Sequence, residues 1–176
     1  MLEGLIAAGK PEQAAAYIRK VQSDIETITP RRYCENELVS LLCSSFAEKA
    51  QHAGARLDVD ARLPQALDIS DAELCAVLSN ALENALHAVA ALPKKERTVS
   101  LYCAVRLGKL LIEVKNPYAG ELTLSPDGRP VTARKGHGYG CQSIQTIAAR
   151  SGGLCEFKAS CGTFCLQIVL PLKAAA

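Results

Sequence analysis

The chain has 176 residues, the usual size of a single domain, and its 49% hydrophobic and 22% charged residues exclude a disordered segment. Its net charge is only +2 with Lys and Arg scattered, which excludes the basic stripe of a nucleic-acid binder, so no nucleic acid is expected as a partner. No apolar run approaches the roughly 20 residues of a membrane span, and Met1-Leu2-Glu3-Gly4 does not open a signal peptide, so a cytoplasmic location is expected.

Residues 1 to about 54 read as helical. Leu2, Leu5 and Ile6 share one face, Gly9-Lys10-Pro11-Glu12 makes a turn, and a second helix runs from about Glu12 to Thr27 before Thr29-Pro30 breaks it. A third spans about Asn36 to His52 and stops at Gly54. The remainder alternates. Residues 56–62 alternate apolar with polar, as a half-buried strand does. Ser70-Asp71-Ala72-Glu73 has a capping-box pattern and opens a long apolar helix to about Ala91. Residues 98–106 and 109–115 predict a hairpin turning at Leu107-Gly108. A Gly- and Pro-rich stretch from Asn116 to Tyr139 follows, and so long a loop in a compact domain is usually functional. A short helix (about Cys141 to Arg150) and strands at about 154–159 and 163–170 complete the chain.

With three Phe, five Tyr and no Trp, the core must be built from Leu, Ile, Val and Ala. The eight cysteines include no Cys-x-x-Cys pair, which argues against a zinc site, and most sit in apolar stretches where a reduced thiol behaves as a small hydrophobe. The element order predicts an α/β two-layer sandwich, a mixed and mainly antiparallel sheet covered by helices on one face. Residues 1–30 read as a helical appendage and 31–176 as the domain proper.

Three motifs stand out. Asn80, Glu83, Asn84 and His87 fall at i, i+3, i+4 and i+7 and therefore share one helical face. Asn is a poor helix former, and Lys, Glu or Gln would serve a merely solvated stripe better, yet the helix alone does not choose between stripe and site. Lys135-Gly136-His137-Gly138-Tyr139-Gly140 precedes a helix start, where backbone N–H groups and a positive dipole end can hold phosphate oxygens. Cys161-Gly162-Thr163-Phe164 enters the last strand and taken alone is a hairpin turn.

In this order the motifs resemble the GHKL superfamily of ATPases, which includes gyrase B, the large heat-shock chaperones, mismatch-repair ATPases and histidine kinases. Asn80-Ala-Leu-Glu-Asn84-Ala is similar to its N box, Gly136-His-Gly-Tyr-Gly140 to its second glycine box and Gly162-Thr163-Phe164 to its third. Asn116-Pro-Tyr and the wording around His137 are similar to the peptide-pheromone-sensing histidine kinases, and residues 8–18 to the end of their dimerisation region.

The resemblance implies a Bergerat-type fold that binds ATP with Mg²⁺. Asn84 would coordinate the metal through its side-chain oxygen, and Asn80, the catalytic position, would place metal-bound water and phosphates. His87 would touch phosphate or ribose. Lys135, Gly136, His137, Gly138, Tyr139 and Gly140 would form the lid, and Thr163 would sit near the adenine through water. The family's Asp-x-Gly-x-Gly is replaced here by Asn116-Pro117-Tyr118-Ala119-Gly120, so Asn116 would read the adenine amino group without charge assistance. The implied chemistry is phosphoryl transfer to a histidine. None of His52, His87 and His137 resembles an acceptor, so the chain is expected to begin just after the phosphoacceptor helix and to be unable to autophosphorylate alone. Expected partners are that helix in the full-length protein, a second copy as homodimer, and a response regulator, the whole being the cytoplasmic part of a membrane-anchored receptor. A serine kinase of the anti-sigma-factor type and a non-catalytic GHKL interaction module are the alternatives.

Overall fold

The computed structural model of the chain describes residues 31–126, 129, 130 and 139–172, with Glu12 as one isolated position. The chain divides into two compact units, Met1–Arg31 and Arg32–Ala176, and every element below belongs to the second. The two helices expected before residue 30 lie outside the described residues.

Helix α1 (Glu37–His52) starts where Asn36 can cap it: Asn36 Oδ1 accepts from the Val39 N–H at 2.9 Å, and its Nδ2 donates to the Gln65 carbonyl at 3.1 Å. Its buried stripe is Val39, Cys43, Phe46 and Ala50, and the helix gives way to Gly54, whose φ of +66° suits only glycine. Strand β1 (Arg56–Arg62) alternates as its sequence predicts. Helix α2 (Asp71–Val89) buries eight residues from Leu74 to Val89. The capping box expected at Ser70 does not form. Ser70 makes no side-chain cap, and the first turn is closed by Leu74 N–H on the Ser70 carbonyl at 2.9 Å, with Asp71 and Glu73 complementing the helix dipole. A single 3₁₀ turn, Lys94–Glu96, then leads into β2 (Thr98–Arg106).

Strand β3 (Lys109–Pro117) turns back from β2 at Leu107 and Gly108, both at positive φ (49° and 70°), the backbone of a tight hairpin whose twist matches the strands. It runs two residues beyond the sequence expectation, so Asn116 lies within the sheet rather than at the start of the loop. Helix α3 (Tyr139–Arg150) likewise begins two residues early, taking in Tyr139 and Gly140. Strands β4 (Leu154–Ser160) and β5 (Thr163–Pro171) form the last hairpin.

The five strands lie in the order β1-β2-β3-β5-β4. The β1–β2 pair is parallel and crosses over through α2, while the remaining pairs are antiparallel. Register makes the two faces different. Val59, Leu101, Val114, Leu166 and Phe157 line up across all five strands on the side that packs with the three helices in one core. Facing the other way, Asp60, Tyr102, Glu113, Gln167 and Glu156 line up in the same manner. That outer face carries ion pairs two residues apart along single strands: Arg56–Asp58 at 2.9 Å, Arg62–Asp60 at 2.8 Å and Lys158–Glu156 at 2.8 Å. Polar outside and aliphatic inside, the sheet is a two-layer sandwich with helices on one face. Among the described residues no helix is long and apolar enough to cross a membrane.

All eight cysteines are free thiols, and Cys43 and Cys103 are wholly buried. Burial pushes Cys43 up to about 12 and Cys103 well above its ordinary value, because a thiolate in the aliphatic core loses its hydration. An unfolded thiol ionises near about 8.5, so at higher pH the unfolded chain has released protons that the folded one keeps, and stability must fall. For Cys43 the cost is expected to be about 1.4 kcal/mol per pH unit between about 8.5 and 12, and Cys103 acts in the same direction. Urea unfolding at pH 8 and pH 10 checks this, and Cys43→Ala should flatten the decline.

Candidate functional site

The middle of α2 carries polar residues because its other faces are already committed to the core. Ala81, Leu82, Ala85 and Leu86 are buried, which leaves Asn80, Glu83, Asn84 and His87 on the remaining side. Asn80, Glu83 and Asn84 are half-buried and His87 is exposed. The first turn of α3 packs against this stripe. A Cβ on Gly140 would stand 3.1 Å from Asn84 Nδ2 and 3.4 Å from both Asn80 Oδ1 and Asn84 Oδ1. Any side chain here would press on the carboxamides and push them back by a few tenths of an ångström.

Asn84 is also oriented. Its Nδ2 donates to the Cys141 Sγ at 3.4 Å, so Oδ1 is the atom left to accept or to ligate. Burial raises the Cys141 thiol, a rise partly countered by the nearby Arg129 cation, so the sulfur stays protonated and acts as a weak acceptor. Asn80 makes no hydrogen bond to the described residues. The donor set is therefore two neutral amide oxygens beside the N-terminus of a twelve-residue helix. Among the described residues no group of three or more His, Cys, Asp or Glu is arranged to cage a metal. A metal held by Asn84 would take most of its ligands from water and from a bound molecule, which suits Mg²⁺ and its preference for oxygen.

On the α1 side of the stripe, Glu83 Oε2 pairs with Lys49 Nζ at 2.6 Å, and His87 Nε2 lies 3.8 Å from Glu83 Oε1. His87 thus turns toward Glu83, one helical turn beyond Asn84.

At the other end of the expected site, Asn116 is only 2% exposed and pairs with Phe164 across β3 and β5. Its Nδ2 donates to the Pro117 carbonyl at 2.9 Å, which again leaves the side-chain oxygen as the available acceptor. Thr163 is exposed and pairs with Pro117, so Asn116 and Thr163 border one hollow of about 270 Å³ together with Thr98, Val99 and Lys115. No hydrogen bond among the described residues joins this hollow to Asn80 or Asn84. Tyr139, expected in the lid, is 74% exposed and is the first residue of α3. It borders a separate groove of about 640 Å³ with Ala72, Ala76 and Gln142. Glu73, Ser143, Thr146 and Arg150 line it as well, and it does not include the carboxamides. Lys135, Gly136, His137 and Gly138 lie outside the described residues.

The sequence reading missed two participants. Cys141 orients Asn84, and its adjacency to Gly140 was the only available signal. Lys49 meets Glu83 across 34 residues of sequence, and nothing local announces that contact.

The comparisons with known proteins bear on the family and the fold. A family model described as "GHKL domain" matches residues 69–171, a span that holds α2, Asn116, Gly140 and Thr163. A search of curated proteins found no match. Among solved structures, full-length ShkA in complex with AMPPNP superposes with a TM-score of 0.61 at 20% identity, covering 80% of this chain and 30% of that one. The chain thus spans under a third of that protein's length. The catalytic domain of histidine kinase ThkA, in a nucleotide-free form, gives 0.59 at 14% identity over 77% of this chain and 92% of that one. Acinetobacter baumannii histidine kinase AdeS gives 0.55 at 12% identity over 94% and 82%. At these identities the likeness is one of fold.

Proposed function

The chain belongs to the GHKL domain family, and from that premise we propose that it is the ATP-binding domain of a two-component sensor histidine kinase, holding Mg-ATP for phosphoryl transfer to a histidine. One observation carries the reading: Gly140 brings the first turn of α3 against the Asn80 and Asn84 carboxamides, setting neutral side-chain oxygens beside a helix N-terminus. That combination fits a polyphosphate and its metal better than an apolar ligand.

In this reading Asn84 offers Oδ1 to Mg²⁺ while Cys141 holds its amide nitrogen. Asn80 Oδ1 orients water and phosphate oxygens one turn earlier. Mg²⁺, when bound, spreads the phosphate charge. The helix start at Gly140 faces the phosphates with backbone donors. Asn116 accepts from the adenine amino group, Thr163 approaches the same end through water, and His87 reaches the phosphate or ribose. Lys135, Gly136, His137, Gly138 and Tyr139 close over the nucleotide. The phosphoacceptor helix, a second copy and a response regulator are the partners, in a cytoplasmic position and of the peptide-pheromone-sensing type. Residues 1–30 belong, on this reading, to a dimerisation region.

Gly140→Ala separates binding from folding. Alanine outranks glycine in a helix by up to about 0.8–1.0 kcal/mol, which offsets the push that a Cβ at 3.1 Å gives to the Asn84 side chain, so the variant should melt close to the original temperature. Its Cβ occupies the space between the carboxamides, so ATP affinity should fall about tenfold, about 1.4 kcal/mol. Calorimetry of both quantities checks the pair. The reading itself is tested by titrating the protein with a non-hydrolysable ATP analogue, with Mg²⁺ and with EDTA. Metal-dependent saturation supports it, and no binding at millimolar analogue overturns it.

A further inference from the structure

Glu83 stands one turn after Asn80 on α2, where the two Cβ atoms are about 5–6 Å apart, and it directly precedes Asn84 in the chain, so its carboxylate lies at the edge of their stripe. A full negative charge there opposes a triphosphate and competes with its oxygens for a metal. The observed geometry turns it aside. Oε2 is bonded to Lys49 Nζ at 2.6 Å, and Oε1 faces His87 Nε2 at 3.8 Å. Lys49 is itself steadied on α1, its ammonium 5.6 Å above the ring of Phe46, a core residue only 9% exposed. The pair is too exposed to matter much for folding, with side chains 55% and 37% accessible, so its effect is expected elsewhere.

We propose that Lys49 is a positioning residue for the nucleotide site, which draws the Glu83 carboxylate toward α1 and cancels its charge over Asn80 and Asn84. The inference rests on the ATP-binding reading above. It adds to the site a residue from α1, an element none of the motifs include. Lys49 acts through Glu83 and does not itself contact the phosphates.

The test is a calorimetric titration of the unmodified protein, Lys49→Ala, Glu83→Gln and the double variant with Mg-ATP and Mg-ADP, alongside a thermal melt of each. Lys49→Ala is expected to weaken ATP about three- to tenfold and ADP less, since the penalty grows with ligand charge. The double variant is expected to return to within about twofold of the unmodified affinity, because the neutral amide needs no counter-ion. All four proteins should melt within a few degrees of one another. Unchanged ATP affinity in Lys49→Ala overturns the proposal, as does a loss equal for ATP and ADP. A loss that persists in the double variant also overturns it, because Lys49 would then act on the phosphates directly. If the unmodified protein binds no ATP, the parent reading falls and this one with it.

Discussion

Asn84→Ala is expected to weaken Mg-ATP binding about a hundredfold, about 2.8 kcal/mol, with no loss of thermal stability. The two halves of this result have separate causes. Asn84 sits in the interior of a 19-residue helix, where alanine is the better helix former, so the fold gains about half a kcal/mol from propensity and loses only the weak bond to Cys141. The ligand loses the side-chain oxygen that the Cys141 contact leaves available to a metal. Metal-dependent affinity should therefore collapse toward the value measured in EDTA. Asn84→Asp, which keeps an oxygen at the same place, should retain more of it. A melting temperature several degrees lower in the alanine variant would instead mark Asn84 as structural.

The second large effect concerns stability. Gly153→Ala is expected to destabilise the fold by about 2–3 kcal/mol, although the change is a single methyl group. Helix α3 ends with Gly152 at a φ of +66°; the Gly152 N–H returns to the Ala149 carbonyl at 3.1 Å and the Gly153 N–H to the Ala148 carbonyl at 2.8 Å. This is the paired closure of a Schellman turn. The chain then enters β4 so close to β5 that a Cβ on Gly153 would stand 2.3 Å from the Val169 carbonyl oxygen and 3.0 Å from Leu170 Cδ2. The oxygen belongs to a strand backbone paired on both sides and cannot swing away. Either the cap opens or the β4–β5 hairpin shifts. Chemical denaturation measures the loss, and a variant as stable as the original would mean that the turn has room the geometry denies. Gly108→Ala is a useful contrast, because nothing lies within 4 Å of its added Cβ and the cost is confined to its φ of +70°.

Where period and turn chemistry act locally, the fold was legible in the sequence. The alternation of residues 56–62 and the Leu107-Gly108 hairpin correspond directly to β1 and the β2–β3 turn. Spacing alone put Asn80 and Asn84 on one face of α2, and the glycine that meets them was part of a recognised motif. What escaped notice depends on partners distant in sequence. Strand β3 extends to Pro117 because β5 pairs with it as far as Thr163, a contact that no local pattern in 109–115 encodes. The Ser70 cap was inferred from residue types, yet the first turn closes through backbone alone. Lys49 reads as one more charge at the end of α1 until α1 and α2 are laid side by side. The departure at Asn116 changes meaning too: buried at the end of a strand with its nitrogen tied to Pro117, the side chain is fixed as an acceptor rather than lying in a loose turn.

The central claim, that the two carboxamides and the start of α3 hold a metal-bound triphosphate, is met most directly by the side-chain amide resonances of Asn80 and Asn84 and the backbone amide of Gly140. All three should shift on adding Mg-ATP to isotope-labelled protein, and those of Asn80 and Asn84 should respond less to ATP in EDTA. Saturable shifts confined to the charged outer face of the sheet, with these three signals unmoved, would contradict the claim.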